Sequence, residues 1–326
     1  MRPTFIHQHF CGSWVALGAV ALVCVSATVL RGATPTATGT PPAAPAAAIK
    51  SFATPQQAAD ALVDAAERFD VAELTELFGP ALDDIILTGE PAQGRQRASD
   101  FVAKVREKQS ISVDPKNKAR AFLLVGNEDW PFPIPIVKRA GLWSFDAAAG
   151  RRELLYRRVG ANELDAITIC HGYVEAQHDY ALRGRDRHGV NQYAQQIIST
   201  PGKQDGLAWQ NPDGTWDGPI GEPIAKAIAQ GYSKGDPYHG YLFKILTGQG
   251  PAAPLGQLDY VVNGVMIGGF ALAAAPAEYG VTGVKTFIVS NDGVVYQKDL
   301  GPTTPEQFAK MERFNPDKSW TPVLEE

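Results

Sequence analysis

The chain has 326 residues, of which 44% are hydrophobic, and it carries 30 Lys and Arg against 35 Asp and Glu. This is the composition of a globular protein able to bury one or two cores, and it excludes a disordered or fibrous chain. The formal charge of -5 lacks the positive field that phosphate backbones and anionic lipids attract, so we expect neither nucleic acid nor a lipid surface as a partner.

The first 30 residues have the pattern of an export signal. Arg2 supplies the positive end, residues 14–30 are almost entirely apolar, and Ser26 and Ala27 offer small residues for cleavage. The sequence therefore predicts a signal peptide over residues 1–27 and a periplasmic or extracellular protein.

Two other interpretations of this segment remain open. An uncleaved helix over 14–30 would reach the lower limit of membrane-spanning lengths, about 17 residues, and would anchor the chain. A lipid on Cys24 would make the protein a lipoprotein, although Val23 stands where a smaller residue is usual. In each case we expect the body of the chain outside the cytoplasm, because no later segment is apolar and long enough to span a bilayer.

The folded part is expected to follow a linker over 28–50, which is rich in Pro, Ala and Thr. Thr54 is a plausible N-cap before Pro55, and apolar residues then recur at helical spacing. Further helices are predicted over 71–78 and around 99–107.

The pattern then changes to strands, predicted over 121–125, 132–138 and 142–145. Helices before a short antiparallel sheet indicate an α+β domain over 51–158. Proline cannot donate to a ladder, so the proline-rich second segment is expected at an edge or in a polyproline conformation. Trp130 lies on the apolar face of this segment, which would either cover the core or line a groove for a ligand.

A long helix is predicted from Asn162 to about Leu182 as the spine of a second α+β domain over 159–326. Its apolar stripe is predicted to consist of Leu164, Ile167, Cys170 and Val174. Because Cys170 lies on this stripe, we expect a buried packing residue rather than a nucleophile.

An antiparallel meander is predicted to pack on this helix. Its strands are expected over 241–247, 260–262, 266–274, 286–289 and 294–298. Asn291, Asp292 and Gly293 are a strong hairpin signal between the last two strands, and Gly268 and Gly269 indicate a bend or bulge.

Several motifs in one order resemble a bacterial family. They are Trp130-Pro131-Phe132-Pro133-Ile134-Pro135, Arg157-Arg158-Val159-Gly160-Ala161-Asn162-Glu163-Leu164, Ser199-Thr200-Pro201-Gly202-Lys203, Tyr238-His239-Gly240-Tyr241, Asp259-Tyr260-Val261-Val262-Asn263-Gly264, and Pro276-Ala277-Glu278-Tyr279-Gly280 followed by Asp292-Gly293-Val294-Val295-Tyr296. Together they resemble the domain of unknown function 2950 over roughly residues 52–322. The resemblance implies an exported bacterial protein with no assigned reaction or cofactor.

The chain departs from this family at the loop 184–189. The resemblance implies an Asp-rich loop able to hold a cation, but only Asp186 is acidic here, between Arg185 and Arg187. Calcium needs several oxygen ligands, so we expect no calcium site at this loop.

The predicted second domain is also faintly similar to the globular part of bacterial pseudopilins. The likeness rests on Asn162-Glu163, Ala166, Ala176-Gln177 and Tyr180-Ala181 on a helix before an antiparallel sheet. Pilins assemble through an apolar helix continuous with this spine, whereas the apolar segment here ends at Leu30. A shared architecture is therefore predicted, not a filament subunit.

The sequence carries no nucleophile-elbow, phosphate-loop, C-x-x-C or H-E-x-x-H motif. His171, Glu175 and His178 offer metal-ligand types, but the two histidines are separated by about 10 Å along a helix. We expect no metal and no cofactor.

The residues most suggestive of binding are polar and aromatic side chains near predicted strand ends and loops. They are Tyr238, His239, Tyr241, Glu278 and Tyr279, to which Trp130 is added from the first domain. Two hypotheses follow. The first is a non-catalytic envelope protein that binds a protein or a small ligand, and the alternative is a periplasmic hydrolase that uses a carboxylate and His239 as acid and base.

Overall fold

The computed structural model describes residues 49–79, 91–182, 191–221 and 237–324. The predicted signal peptide, nearly all of the linker and the loop 184–189 lie outside these residues. The chain divides into two compact units, Met1–Leu155 and Tyr156–Glu326. Among the described residues, no helix combines the length and the apolar character that crossing a membrane requires.

The first unit opens with three helices. They are α1 (Pro55–Arg68), α2 (Val71–Phe78) and α3 (Pro91–Glu107). The predicted cap at Thr54 is confirmed, because its side chain accepts a hydrogen bond from the N–H of Gln57 at 3.2 Å. Helix α3 begins earlier than the predicted residue 99. The prediction missed residues 91–98 because they contain no large apolar side chain that would show a helical period.

An antiparallel sheet completes the first unit. Its strands are β1 (Gln109–Val113), β2 (Arg120–Val125), β3 (Trp130–Pro131), β4 (Ile136–Arg139) and β5 (Leu142–Phe145), in the order β1-β2-β4-β5 with β3 also paired to β2. The prediction of one strand over 132–138 is wrong, because Pro133 and Pro135 interrupt it between β3 and β4. The core between helices and sheet contains Leu77, Leu123, Ile136 and Phe145, all fully buried.

Helix α4 (Ala147–Leu182) is the long helix that the sequence predicted, but it begins well before Asn162. Asp146 accepts a hydrogen bond from the N–H of Ala149 at 3.1 Å, as an N-cap does, and the following Arg, Glu and Leu residues favour a helix. The buried stripe runs through Ala166, Cys170 and Tyr173. Leu164 was predicted on this stripe and that prediction is wrong, since its side chain is 67% exposed.

A five-stranded antiparallel sheet provides the main core of the second unit. Its strands are β9 (Tyr241–Leu246), β14 (Ala271–Pro276), β15 (Lys285–Ser290), β16 (Val295–Asp299) and β18 (Thr321–Pro322), in the order β18-β16-β15-β14-β9. The predicted hairpin at 291–293 is confirmed: β15 and β16 pair across it, and Gly293 has a φ of 79°. Between β16 and β18 lie a 3-10 turn (Gly301–Thr303) and helix α5 (Thr304–Lys310).

Shorter strands complete the second unit. They are β6 (Gln196–Ile198), β7 (Gly206–Gln210), β8 (Trp216–Asp217), β10 (Gly248–Gln249), β11 (Leu258–Asp259), β12 (Val261–Val262), β13 (Val265–Met266) and β17 (Arg313–Phe314). The predicted strand over 266–274 is two strands, β13 and β14, because Gly269 with a φ of 135° bends the chain between them. Two of the short pairings, β6 with β7 and β10 with β17, are parallel rather than part of a meander.

Burial makes Cys170 chemically inert. Its side chain is fully buried, and desolvation of the charged form raises the pKa of the thiol to about 12. We therefore expect no reaction of Cys170 with a maleimide at pH 8 in the folded protein, and full reaction in urea, as measured by intact mass. Rapid labelling of the folded chain at this residue would contradict the packing described.

Candidate binding surface

Strands of the second-unit sheet meet at one end, and five of the six predicted binding residues lie there. Strand β9 begins at Tyr241 opposite Pro276, the last residue of β14, and β15 begins at Lys285 opposite Asp299, the last residue of β16. Tyr238 and His239 lie just before β9, and Glu278 and Tyr279 lie just after β14. Trp130 lies on β3 in the first unit, 42% exposed, and is not part of this end.

A tight turn presents His239 to solvent. The backbones of Tyr238 and Tyr241 exchange two hydrogen bonds, of 2.9 and 3.0 Å, around His239 and Gly240. Both central residues have positive φ, 49° and 74°, which is the geometry of a type I′ turn. His239 is held in this left-handed conformation without the freedom of a glycine, so the turn fixes an exposed imidazole at the start of β9.

Asp165 of α4 holds the imidazole from one side. Its Oδ2 lies 2.6 Å from Nδ1 of His239, and the two side chains are 40% and 44% exposed. A carboxylate on Nδ1 orients the ring and leaves Nε2, which has no hydrogen-bond partner among the described residues, as the nitrogen open to a ligand. Asp165 and His239 therefore form a polar pair at the surface whose imidazole has a fixed orientation.

The phenol of Tyr238 packs against the same imidazole. The two ring centroids are 4.3 Å apart and their planes are inclined by 69°. Burial, together with the charge of Asp165, raises the pKa of Tyr238, so its hydroxyl stays protonated at neutral pH.

Two further α4 side chains fasten the helix to this end of the sheet. Glu163 Oε1 accepts the backbone N–H groups of Val284 and Lys285, each at 2.9 Å, and Asn162 Nδ2 donates to the carbonyl of Thr282 at 2.8 Å. These contacts fix Asp165, two residues further along the helix, relative to the turn that carries His239. They define the position of the exposed pair.

Glycines allow the close packing behind the turn. A Cβ on Gly240 would lie 2.5 Å from Asn162 Nδ2, and one on Gly283 would lie 2.2 Å from the Tyr241 hydroxyl oxygen. Tyr241 is fully buried, its hydroxyl donates to the carbonyl of Lys285 at 2.8 Å, and burial raises its pKa above the usual range. Tyr241 is therefore a core residue beneath this surface, where its hydrogen bond links the start of β9 to the start of β15.

Glu278 and Tyr279 lie on a turn beside His239. The N–H of Ala277 donates to the carbonyl of Gly240 at 3.0 Å, which places this turn next to the one that carries His239. Glu278 is exposed, and Tyr279 donates to Oδ2 of Asp299 at 3.4 Å, a hydrogen bond that raises the pKa of the phenol. We call Asp165, Tyr238, His239, Glu278 and Tyr279 the strand-end surface.

Sequence reasoning did not assign a role in the site to Asn162, Glu163, Asp165 or Thr282. The available signals were the run of polar residues Asn162, Glu163 and Asp165 at the start of the predicted helix, and the place of Asn162 and Glu163 in one of the family motifs. A start at Asn162 would have used these residues as caps. Because α4 begins at Ala147, they lie within the helix and their side chains reach the sheet instead.

Two other predicted features can be placed. His171, Glu175 and His178 lie on α4, and no three acidic, His or Cys side chains within the described ranges gather in a geometry that could hold a metal ion. Four residues of the motif at 199–203, Ser199 to Gly202, line a cleft of about 190 Å³ together with Ile198, Gln210 and Trp216. The Thr200 hydroxyl and N–H in this cleft are already bonded to Asp205.

Comparison with known proteins matches most of the chain to one family. The family model described as "Protein of unknown function (DUF2950)" matches residues 49–323. No curated protein and no solved structure matches the chain significantly, so the likeness to pseudopilins stays a prediction. Since the match covers both units and the strand-end surface, the chain belongs to the family of proteins of unknown function DUF2950.

Proposed function

We propose that this protein is an exported envelope protein, periplasmic or extracellular, that binds a partner protein or a small ligand through the strand-end surface without transforming it. The observation that carries the proposal is the exposed Asp165–His239 pair, held at 2.6 Å by elements on both sides. Both members keep two fifths of their side-chain area open to solvent, where a ligand can reach them.

Pre-organisation supports a binding role. The His239 ring is held by Asp165 and packed by Tyr238, and the helix that carries Asp165 is fastened to the sheet through Glu163. Ordering flexible side chains opposes association, and here that ordering has already occurred during folding. Stability alone does not account for this support, because exposed ion pairs contribute only about 0–1 kcal/mol to the free energy of unfolding.

The chemistry of the surface favours a ligand with hydrogen-bond donors and apolar area. Glu278 and Asp165 supply carboxylates, and the rings of Tyr238 and Tyr279 supply amphipathic contact area. Aromatic residues with a few fixed polar groups are typical of recognition sites on proteins and small ligands.

Export is part of the proposal and rests on the sequence of residues 1–30. The positive end, the apolar stretch and the small residues before Thr28 predict cleavage, and the anchored and lipidated forms remain the alternatives. A partner in the envelope follows from that location.

Capture from an envelope extract tests the binding role. The full-length protein is immobilised, incubated with soluble envelope extract and washed, and the bound material is identified by mass spectrometry. We expect the double variant Asp165→Ala, His239→Ala to lose at least about 90% of the bound material, since a tenfold loss corresponds to about 1.4 kcal/mol.

The matched control changes the same kinds of residue elsewhere on the unit. Glu175→Ala, His178→Ala removes an exposed acid and an exposed histidine from α4 without touching the strand-end surface. This control is expected to bind like the wild type. Equal binding by the wild type and the Asp165, His239 variant would contradict the proposal.

The Asp165–His239 pair also favours one alternative function, a hydrolase. A carboxylate on Nδ1 and an open Nε2 are the arrangement of a histidine that acts as general base. This alternative predicts turnover of an ester, phosphoester or glycoside reporter by the wild type and a loss of about 100-fold or more in His239→Ala. Absence of turnover at pH 5 to 9, or equal rates in both proteins, would exclude it.

A further inference from the structure

Within the described ranges, no strand pairs with the outer edge of strand β1 in the first unit. The sheet order ends at β1, and among the described residues no backbone group of Gln109–Val113 bonds to anything but β2. The other end of the sheet is covered, because Phe52 and Trp143 of β5 exchange two backbone hydrogen bonds, of 2.7 and 2.8 Å. Exposed edges are templates for pairing with another strand.

The hydrogen bonds that flank β1 show which groups face outward. The N–H of Asp114 donates to Arg120 at 2.9 Å and the carbonyl of Lys108 accepts from Gly126 at 2.9 Å, so even-numbered residues bond to β2. In an antiparallel ladder the residues between them point their N–H and C=O groups the other way. The free groups therefore belong to Gln109, Ile111 and Val113.

Nothing in β1 blocks its edge. The strand has the sequence Gln-Ser-Ile-Ser-Val, with no proline, charge or positive φ, and the Val113 side chain is 43% exposed. Natural edges usually carry one of these protective devices. An edge without them is suited to a partner strand.

We propose that β1 pairs antiparallel with β1 of a second copy of this chain, centred on Ile111. In this register Ile111 faces Ile111 of the other copy, and Gln109 faces Val113, so every outward N–H and C=O finds a partner. Ser110 faces Ser112, a pair whose hydroxyls can hydrogen-bond across strands.

Charge selects this register. With Ile111 at the centre, Lys108 of each copy lies opposite Asp114 of the other, in the non-hydrogen-bonded position where side chains are closest. Within its own chain Lys108 pairs with Asp129 at 2.7 Å, so its ammonium would lie between two carboxylates. A shift to a centre at Ser112 would place Lys108 opposite Lys116 and lose bonds at Pro115, which has no N–H. The charges at the two ends of the strand are thus complementary in the register centred on Ile111 and not in the register centred on Ser112.

Disulfide trapping tests both the pairing and the register. Full-length chains in which Cys11 and Cys24 are replaced by serine receive either Gln109→Cys or Val113→Cys, each with a different tag. The two positions would be about 5.5 Å apart across the interface, within reach of a disulfide, whereas two copies of residue 109 would be about 13 Å apart.

The mixture of the two variants is expected to form at least about ten times more disulfide-linked dimer than either variant alone, a ratio equal to about 1.4 kcal/mol. Asp114→Lys should reduce the yield several-fold. Lys108→Asp combined with Asp114→Lys and Asp129→Lys, which keeps the ion pair between residues 108 and 129, should restore it. Equal yields in the mixture and the single variants would overturn the register.

Two other outcomes would overturn the pairing itself. One is a mixture without cross-linking whose thiols react freely with maleimide, which would mean an open edge that does not associate. The other is a monomer whose thiols are protected, which would mean that another part of the same chain covers β1.

Discussion

Glu163→Ala is expected to lower the free energy of unfolding by about 3 kcal/mol, because it removes the acceptor of two backbone N–H groups at once. The carboxylate accepts from Val284 and Lys285, and all three residues are partly buried. Without it, both donors at the start of β15 lose their partner, and of the two α4 side chains that bond to this end of the sheet only Asn162 remains. Urea unfolding of the full-length protein, followed by circular dichroism, measures the change.

Glu163→Gln is the matched variant. It keeps an oxygen acceptor in the same place and loses only the charge, so we expect a loss of about 1 kcal/mol. If the Ala and Gln variants unfold at the same urea concentration as the wild type, the two hydrogen bonds do not stabilise the sheet end, and Asp165 is not fixed in the way described.

Gly283→Ala is expected to destabilise the protein by about 2–3 kcal/mol through overpacking. The new Cβ would lie 2.2 Å from the hydroxyl oxygen of Tyr241 and 2.6 Å from its ring carbon. Tyr241 has little room to move, because it is fully buried and bonded to the carbonyl of Lys285. The free energy of unfolding is again read from urea denaturation.

Coupling to Tyr241 identifies the cause of this loss. Tyr241→Phe removes the atom nearest the clash, so the double variant should be more stable than the sum of the single changes predicts. Gly172→Ala is the control, since its Cβ would meet open space on α4, and it should be neutral or slightly stabilising. An additive double variant would mean that Gly283 is required for another reason.

Local signals in the sequence were sufficient for much of the fold. The cap at Thr54, the helix over 71–78 and the turn at 291–293 each follow from side chains that bond to their own neighbours. Such elements need no knowledge of distant contacts. The α+β class follows from their order.

Elements set by distant contacts were less predictable. Strand β1 was not predicted, because its alternation of serine with Ile111 and Val113 spans only four residues, and it is ordered by pairing with β2. Pro133 and Pro135 divide a segment whose apolar pattern alone favours one strand. The helix through 147–161 lacks a regular apolar period, and its start depends on the cap at Asp146.

The candidate surface was predictable only in part for the same reason. Tyr238, His239, Glu278 and Tyr279 could be chosen because polar and aromatic residues near strand ends are typical of binding sites. Their partner Asp165 lies 74 positions from His239 in the chain. Only the packing of α4 on the sheet brings the two together.

Native mass spectrometry of the full-length protein, expressed in a bacterial host and released gently from the envelope, tests the central claim most directly. We predict a chain that begins near Thr28 and retains a non-covalent partner or ligand. That bound mass should be lost in Asp165→Ala, His239→Ala and kept in Glu175→Ala, His178→Ala. A bound mass that survives equally in both variants, or a wild-type chain that is recovered bare from the cytoplasm, would contradict an exported protein that binds through the strand-end surface.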